Sequence, residues 1–264
     1  MTTLEGKRIL VAGSSAGIGR EFAVRAIRAG AAVALSARRA DRLEQVLEES
    51  GGGTAVPGDL RSAADCDRIV SQTVDALGGI DLVFCSVGAA PMRFFADTTA
   101  EDWDQVLGTN VVGIHQLVRA AVPVLEPGAM VLALSSETAF DPRHGMGAYA
   151  ASKAALEVSF AAWRVEHARL RFGIVEVGAT QPTEFGVAFA PDLVAVALTE
   201  WAHRGLVQEE FMATADVAEL RIDTVATALA HPGVGIEHLR LRSPSPVVRG
   251  AEHWIGHQSQ TASA

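Results

Sequence analysis

The chain's single tyrosine, Tyr149, and one of its only two lysines, Lys153, stand four residues apart in GAYAASKAAL (147–156). On a helix this spacing puts both side chains on one face, and the alanines and Ser152 around them leave room for a ligand. A phenol with a reference pKa near 10 is protonated at neutral pH. A nearby ammonium favours the phenolate, and lowering the pKa by ~3 units takes ~4 kcal/mol of differential stabilisation. A phenol tuned in this way can give a proton to a carbonyl oxygen or take one from an alcohol. The plainer alternative is a half-buried tyrosine beside a lysine that reaches out to water.

Upstream of Tyr149 the apolar run MVLALSS (130–136) ends in Ser135 and Ser136. A hydroxyl both donates and accepts, so Ser136 can orient a reacting oxygen and stabilise charge on it without acting as a nucleophile. No GxSxG motif frames it as a hydrolase serine. Asn110, in GTNVVG, is a poor helix former within an apolar helical pattern and by itself reads as a kink or a packed amide. His115, His144 and His167 show no metal-ligand spacing, so no metal role is assigned.

A second group of residues suits a nucleotide. AGSSAGIGREFAVRAIRAG places Gly13, Gly17 and Gly19 between an apolar run and a helical pattern of about three turns. Glycines there permit a tight turn and close backbone approach, and amides at the helix start face a pyrophosphate. At the end of the next apolar run the sequence reads LSARRAD. Ala37 stands where an NAD-binding fold would carry an acidic residue, and Arg38 and Arg39 follow. Guanidinium groups suit a 2′-phosphate, which favours NADP(H) over NAD(H), although the same pair would serve as a solvated helix lead-in. Asp59, in GDL, can accept from an adenine amino group or simply occupy a turn.

These groups need a scaffold. The runs RILVA (8–12), AVALS (32–36), TAVP (54–57), DLVFC (81–85), MVLALS (130–135), FGIVEV (172–177) and GIEHLRL (235–241) are short and mostly apolar, with helical patterns between them. That alternation predicts an α/β Rossmann-type three-layer sandwich around a seven-stranded parallel sheet. DRLEQVLEE is read as a helix capped by Asp41, Asp65 to Leu77 as a helix stopped by GG, and TAEDWDQVL as a capped helix start. The 264 residues show no repeat, linker or charge block, so one domain is expected over 1–264, with a loosely held tail after Ser243.

A formal net charge of −9 speaks against nucleic acid and anionic membrane as partners. No apolar stretch approaches the ~20 residues of a membrane helix. Two cysteines, Cys66 and Cys85, and an N-terminus unlike a signal peptide point to a reducing, cytoplasmic setting.

Taken together, the residues from Gly6 to about Arg242 resemble the short-chain dehydrogenases/reductases. The family's TGxxxGIG loop is AGSSAGIG here, with Ala12 in place of threonine, and its Asn, Ser, Tyr, Lys set falls on Asn110, Ser136, Tyr149 and Lys153. The resemblance implies hydride transfer between a nicotinamide cofactor and a small-molecule carbonyl or secondary alcohol. It implies Tyr149 as general acid/base, Ser136 on the substrate oxygen, Lys153 on the nicotinamide ribose and lowering the tyrosine pKa, and Asn110 holding a relay water.

For the cofactor it implies contacts from Gly13, Ser15, Gly17, Ile18, Gly19, Arg38, Asp59, Leu60, Gly88, Tyr149, Lys153, Gly178 and Thr183, with Ser15 and Arg38 as the NADP-selecting pair. It also implies a homodimer or homotetramer. The family's NNAG is CSVG here, its PG is Val177–Gly178, and Thr183 lies one position further from that glycine than in the commonest form. A substrate lid is expected over roughly 184–214, where Leu193, Val194, Val196, Ala197, Leu198 and Trp201 form either a cover for an apolar pocket or an ordinary amphipathic helix. An NADP(H)-binding regulatory or redox-sensing protein without turnover is the alternative reading.

Overall fold

The sheet is built from short apolar runs whose successive side chains enter two different cores. The computed structural model describes residues 3–248. In β1 (Arg8–Ala12), Ile9 and Val11 join one apolar cluster while Leu10 and Ala12 join the other, the period of two expected of a strand buried on both faces. Among the described residues the further strands are β2 (Ala32–Ser36), β3 (Thr54–Ala55), β4 (Leu82–Cys85), β5 (Met130–Ser136), β6 (Arg171–Val177), β7 (Thr180–Gln181), β8 (Met212–Ala213) and β9 (His238–Leu241). The helices are α1 (Gly17–Arg28), α2 (Ala40–Ser50), α3 (Ala63–Leu77), α4 (Ala100–Leu107), α5 (Ile114–Ala121), α6 (Gly147–Glu166), α7 (Pro191–His203) and α8 (Thr214–Ala230).

Seven strands form one parallel sheet in the order β3-β2-β1-β4-β5-β6-β9, and β7 pairs with β8 in a separate two-stranded ribbon. The expected seven-stranded Rossmann architecture is therefore present. Two of its strands are shorter than the sequence suggested: the third stops at Ala55, ahead of Pro57, which has no N–H to donate, and the last begins at His238. One core cluster lies under α1 and α8, with Phe22 and Phe84 rings 4.4 Å apart; the other lies under α3, α5 and α6. Connections run in opposite directions from β1 and β4, so their C-terminal ends flank the crevice where such sheets bind ligands.

The helix boundaries have local causes. α3 starts at Ala63 because the Ser62 side chain accepts from the Asp65 amide at 3.2 Å, and it ends at Gly78, whose φ of 76° is left-handed. Thr99 and Asp102 cap α4 reciprocally, as the TAEDW pattern suggested. Asp41 does not cap α2. Arg39 occupies the cap position, and Asp41 lies in the first turn, where its charge suits the positive end of the helix.

Beyond Ser243 the chain makes contacts as far as Val248. Val247 bridges to Gln208, the Val248 amide donates to the Val207 carbonyl at 2.8 Å, and the Val248 side chain is buried against Ala202 and Val207. The remainder of the expected loose tail lies outside the described residues. No helix among the described residues is long and apolar enough to cross a membrane.

Candidate active site

Between α4 and α5 the chain winds one π-helical turn, Gly108–Gly113, and this turn carries Asn110. Such single turns recur at functional sites because the extra residue releases backbone groups from the regular ladder. The Asn110 side chain is fully buried and engaged at both ends: Oδ1 accepts from the Ala89 amide at 2.7 Å, while Nδ2 donates to the Ala89 carbonyl and the Ser152 hydroxyl, each at 2.9 Å. Asn110 is thus a packed amide within a π turn.

Ser152 in turn donates to the Tyr149 carbonyl at 2.7 Å, so the amide of one helix braces the first turn of α6. Lys153, buried on the next turn, donates from Nζ to the Leu134 carbonyl of β5 at 2.8 Å and lies 5.8 Å from the Tyr149 ring centre. Gly88 faces both: a Cβ there would stand 3.8 Å from Lys153 Nζ and 3.9 Å from Asn110 Oδ1. The glycine kept from CSVG therefore leaves an open floor beside the lysine.

Ser136 ends β5, where its hydroxyl accepts from Thr138 Oγ1 at 3.0 Å and faces the Tyr149 phenol. Burial pushes that phenol up to about 12, with the Ser136 hydrogen bond working weakly in the opposite direction. Burial also brings Lys153 down to about 8, opposed by Cys85 and Glu157. Desolvation thus moves both groups toward their neutral forms.

The nucleotide residues lie along the neighbouring edge. Gly13 has φ of 88°, and a Cβ there would come within 2.7 Å of the Ser86 carbonyl carbon, so a side chain would drive the loop off β4. No side chain caps α1, which leaves the first-turn amides of Gly17, Ile18 and Gly19 available to an anion. Thr183 lies against this turn, where a Cβ on Gly17 would be 3.7 Å from the Thr183 Cβ. Gly178 donates to the Leu241 carbonyl at 2.9 Å, and buried Leu60 supports the π turn at Gly113. The residues present fit a dinucleotide: a backbone cradle, an open glycine floor and basic side chains at the far end.

At that end Ser15 accepts from Arg39 Nη2 at 3.2 Å, and Arg38 and Arg39 are both exposed. Arg39 is held there by a second anchor, a 2.7 Å ion pair with Glu184 on the segment after β7, and hydrogen bonding to Arg39 keeps the Glu184 carboxyl below its usual range. Asp59 is bound by Arg61, whose hydrogen bonds lower its pKa, with a smaller contribution from Arg38.

The segment after β7 and α7 pack beside Tyr149. Phe185 sets its ring 5.2 Å from that of Tyr149, and Phe189 meets Phe185 edge-on at 5.7 Å. Leu193, Val194, Ala197 and Trp201 of α7 pack with Met92, Met146 and Tyr149, whereas Val196 faces solvent. Trp201 Nε1 donates to the His144 carbonyl at 2.9 Å and its ring receives Arg143 at 5.5 Å; Arg143 forms a buried ion pair with Glu137. Sequence reasoning named Ser152 only as leaving room for a ligand, and passed over Phe185, Glu184 and the Glu137–Arg143 pair. Only Ser152 carried a signal, its position between Tyr149 and Lys153; the others depend on segments far apart in the chain.

A family model described as short chain dehydrogenase matches residues 7–194. The chain is 35% identical over 168 residues to an 11-beta-hydroxysteroid dehydrogenase-like 2 protein of Arabidopsis thaliana, covering 61% of this chain and 54% of that one. It spans about half the length of several of the curated relatives it matches. Among solved structures, a dehydrogenase/reductase from Sinorhizobium meliloti 1021 superposes with a TM-score of 0.78 at 28% identity, covering 91% of this chain and 95% of that one. A short chain dehydrogenase from Burkholderia cenocepacia J2315 in complex with NADP gives 0.77 at 26% identity, covering 90% and 97%.

Proposed function

The chain belongs to the short-chain dehydrogenase family, and from that membership we propose that it is an NADP(H)-dependent oxidoreductase acting on the carbonyl or secondary alcohol of an apolar small molecule. The observation that carries the reading is that Lys153 and Asn110 flank Gly88 while Tyr149 lies beside Lys153 and faces Ser136. The NADP(H) preference rests on Ser15, Arg39 and Arg38 and the absence of an acidic residue at Ala37, and the neighbour from Burkholderia cenocepacia holds NADP.

When bound, the nicotinamide supplies or accepts a hydride at the substrate carbon. Tyr149 gives its proton to the carbonyl oxygen in reduction and takes it back in oxidation, so atoms and charge balance across the two transfers. Ser136 holds that oxygen by a hydrogen bond. A phenol at about 12 is fully protonated at neutral pH and ready to donate.

Asn110 braces α6 through Ser152; with its side chain engaged, a relay water would be held through the backbone of the π turn. Phe185, Phe189, Met92 and Met146 exclude water and favour an apolar substrate. We further propose self-association as a homodimer or homotetramer in a reducing, cytoplasmic setting, in keeping with Cys66 and Cys85 as free buried thiols.

The test is a panel of apolar ketones and secondary alcohols with NADPH and NADH, followed at the reduced-nicotinamide absorbance band. Wild-type protein is expected to turn over with NADPH, and Tyr149→Phe to bind cofactor without turnover. Near-normal turnover by Tyr149→Phe rejects the mechanism. Binding of NADPH with no turnover across the panel identifies a regulatory protein instead.

A further inference from the structure

α6 carries a third polar residue on the stripe of Tyr149 and Lys153. Glu157 lies four positions beyond Lys153, so successive turns bring all three to one side of the helix. Consecutive residues of β5 meet this stripe. Leu134 accepts from Lys153 Nζ through its carbonyl at 2.8 Å, and the buried Ser135 hydroxyl donates to Glu157 Oε1 at 2.5 Å. Ser135 faces α6 as Val131 and Ala133 do on the same strand, and the neighbouring inward positions of the helix, Leu156 and Phe160, are apolar members of that core. A carboxylate set into such a surface is costly unless it is hydrogen-bonded and has a charge to meet.

One turn back along the same stripe stands Lys153, near enough for its charge to act on Glu157 without a direct ion pair among the described residues. From β4, Cys85 faces the lysine as a buried thiol pushed up to about 12 and is neutral in the working range. The π turn presents the Asn110 amide, β5 the Leu134 carbonyl and α6 the Tyr149 phenol, all neutral. Among the described residues, Glu157 is the carboxylate that acts on the lysine, and it works against the lowering caused by burial.

We infer that Glu157 is a positioning residue whose carboxylate, pinned by Ser135, is the counter-charge that keeps Lys153 an ammonium beside Tyr149. Its part in the reaction rests on the proton-transfer reading of Tyr149 and Lys153 given above.

The chain contains two lysines, Lys7 and Lys153, so protein labelled with 13C at the lysine ε-carbon gives two signals, and Lys7→Arg identifies one of them. Glu157→Gln is expected to lower the Lys153 titration midpoint by about one pH unit, a tenfold change in its acid constant. Ser135→Ala, which releases the carboxylate, lowers it by less and serves as the test variant if Glu157→Gln does not fold. The alkaline limb of the turnover profile moves down with the midpoint. An unmoved midpoint in either folded variant overturns the inference whatever the reaction is. A moved midpoint with an unmoved turnover profile overturns the role in the reaction, and retained turnover in Tyr149→Phe overturns the reading beneath it.

Discussion

Asn110 and Ala89 are joined by a closed pair of hydrogen bonds, Oδ1 accepting from the Ala89 amide at 2.7 Å and Nδ2 donating to the Ala89 carbonyl at 2.9 Å. A side-chain amide thus does for the chain leaving β4 what a neighbouring strand does for the sheet, and it fixes Gly88 immediately before it. Asn110→Ala would leave buried donors and acceptors unpaired. The expected cost is about 2–3 kcal/mol. A drop in Tm of ~5–10 °C follows, read by thermal melting, and a variant within a degree of wild type would mean that water replaces the amide.

Tyr149 is the sole tyrosine, so the rise of phenolate absorbance with pH reports this residue alone. The cofactor-free protein should titrate near 12, well above a model phenol, because burial penalises the charged form. A midpoint at or below 10 would show that the desolvation argument fails.

Lys153 is lowered to about 8 by burial, which is also a statement about stability. Below pH 8 both folded and unfolded chains carry the proton, and the folded state bears the full cost of the buried charge. Between 8 and about 10.5 the folded lysine loses its proton first and the cost fades; above that it is gone. Lys153→Met should therefore stabilise the protein by up to ~3 kcal/mol below pH 8, with the gain vanishing by about pH 10.5, while removing turnover. Denaturant unfolding of both proteins at pH 7 and at pH 10.5 measures this, and equal stabilities at pH 7 would contradict it.

Arg39 is shared between Ser15 and Glu184. If the guanidinium receives a 2′-phosphate, Arg39→Ala should weaken NADPH binding at least tenfold and leave NADH unaffected, the worth of a hydrogen bond to a charged group. Glu184→Gln should tighten NADPH binding a few-fold at most, since exposed ion pairs contribute ~0–1 kcal/mol. Titration calorimetry with both nucleotides decides this, and a parallel Arg38→Asp variant shows which arginine sets the preference.

The strands, their parallel class and the shared face of Tyr149 and Lys153 were legible in the sequence, because each follows from periodicity over a few residues and from where glycines allow a turn. The glycine loop before α1 and the capping box at Thr99 and Asp102 belong to the same class, being local hydrogen-bonding and steric facts. Other features were decided only by the tertiary structure. Arg39 rather than Arg38 meets Ser15 because Glu184, 145 residues away, draws it there. The Asn110 amide is consumed by Ala89 and Ser152 across separate elements. What the inward face of α7 packs on, Met92, Met146 and Tyr149, is likewise fixed only by the tertiary structure. The pKa shifts are of the same kind: helical spacing places a lysine near a phenol, but only packing on all sides makes burial the leading influence on both.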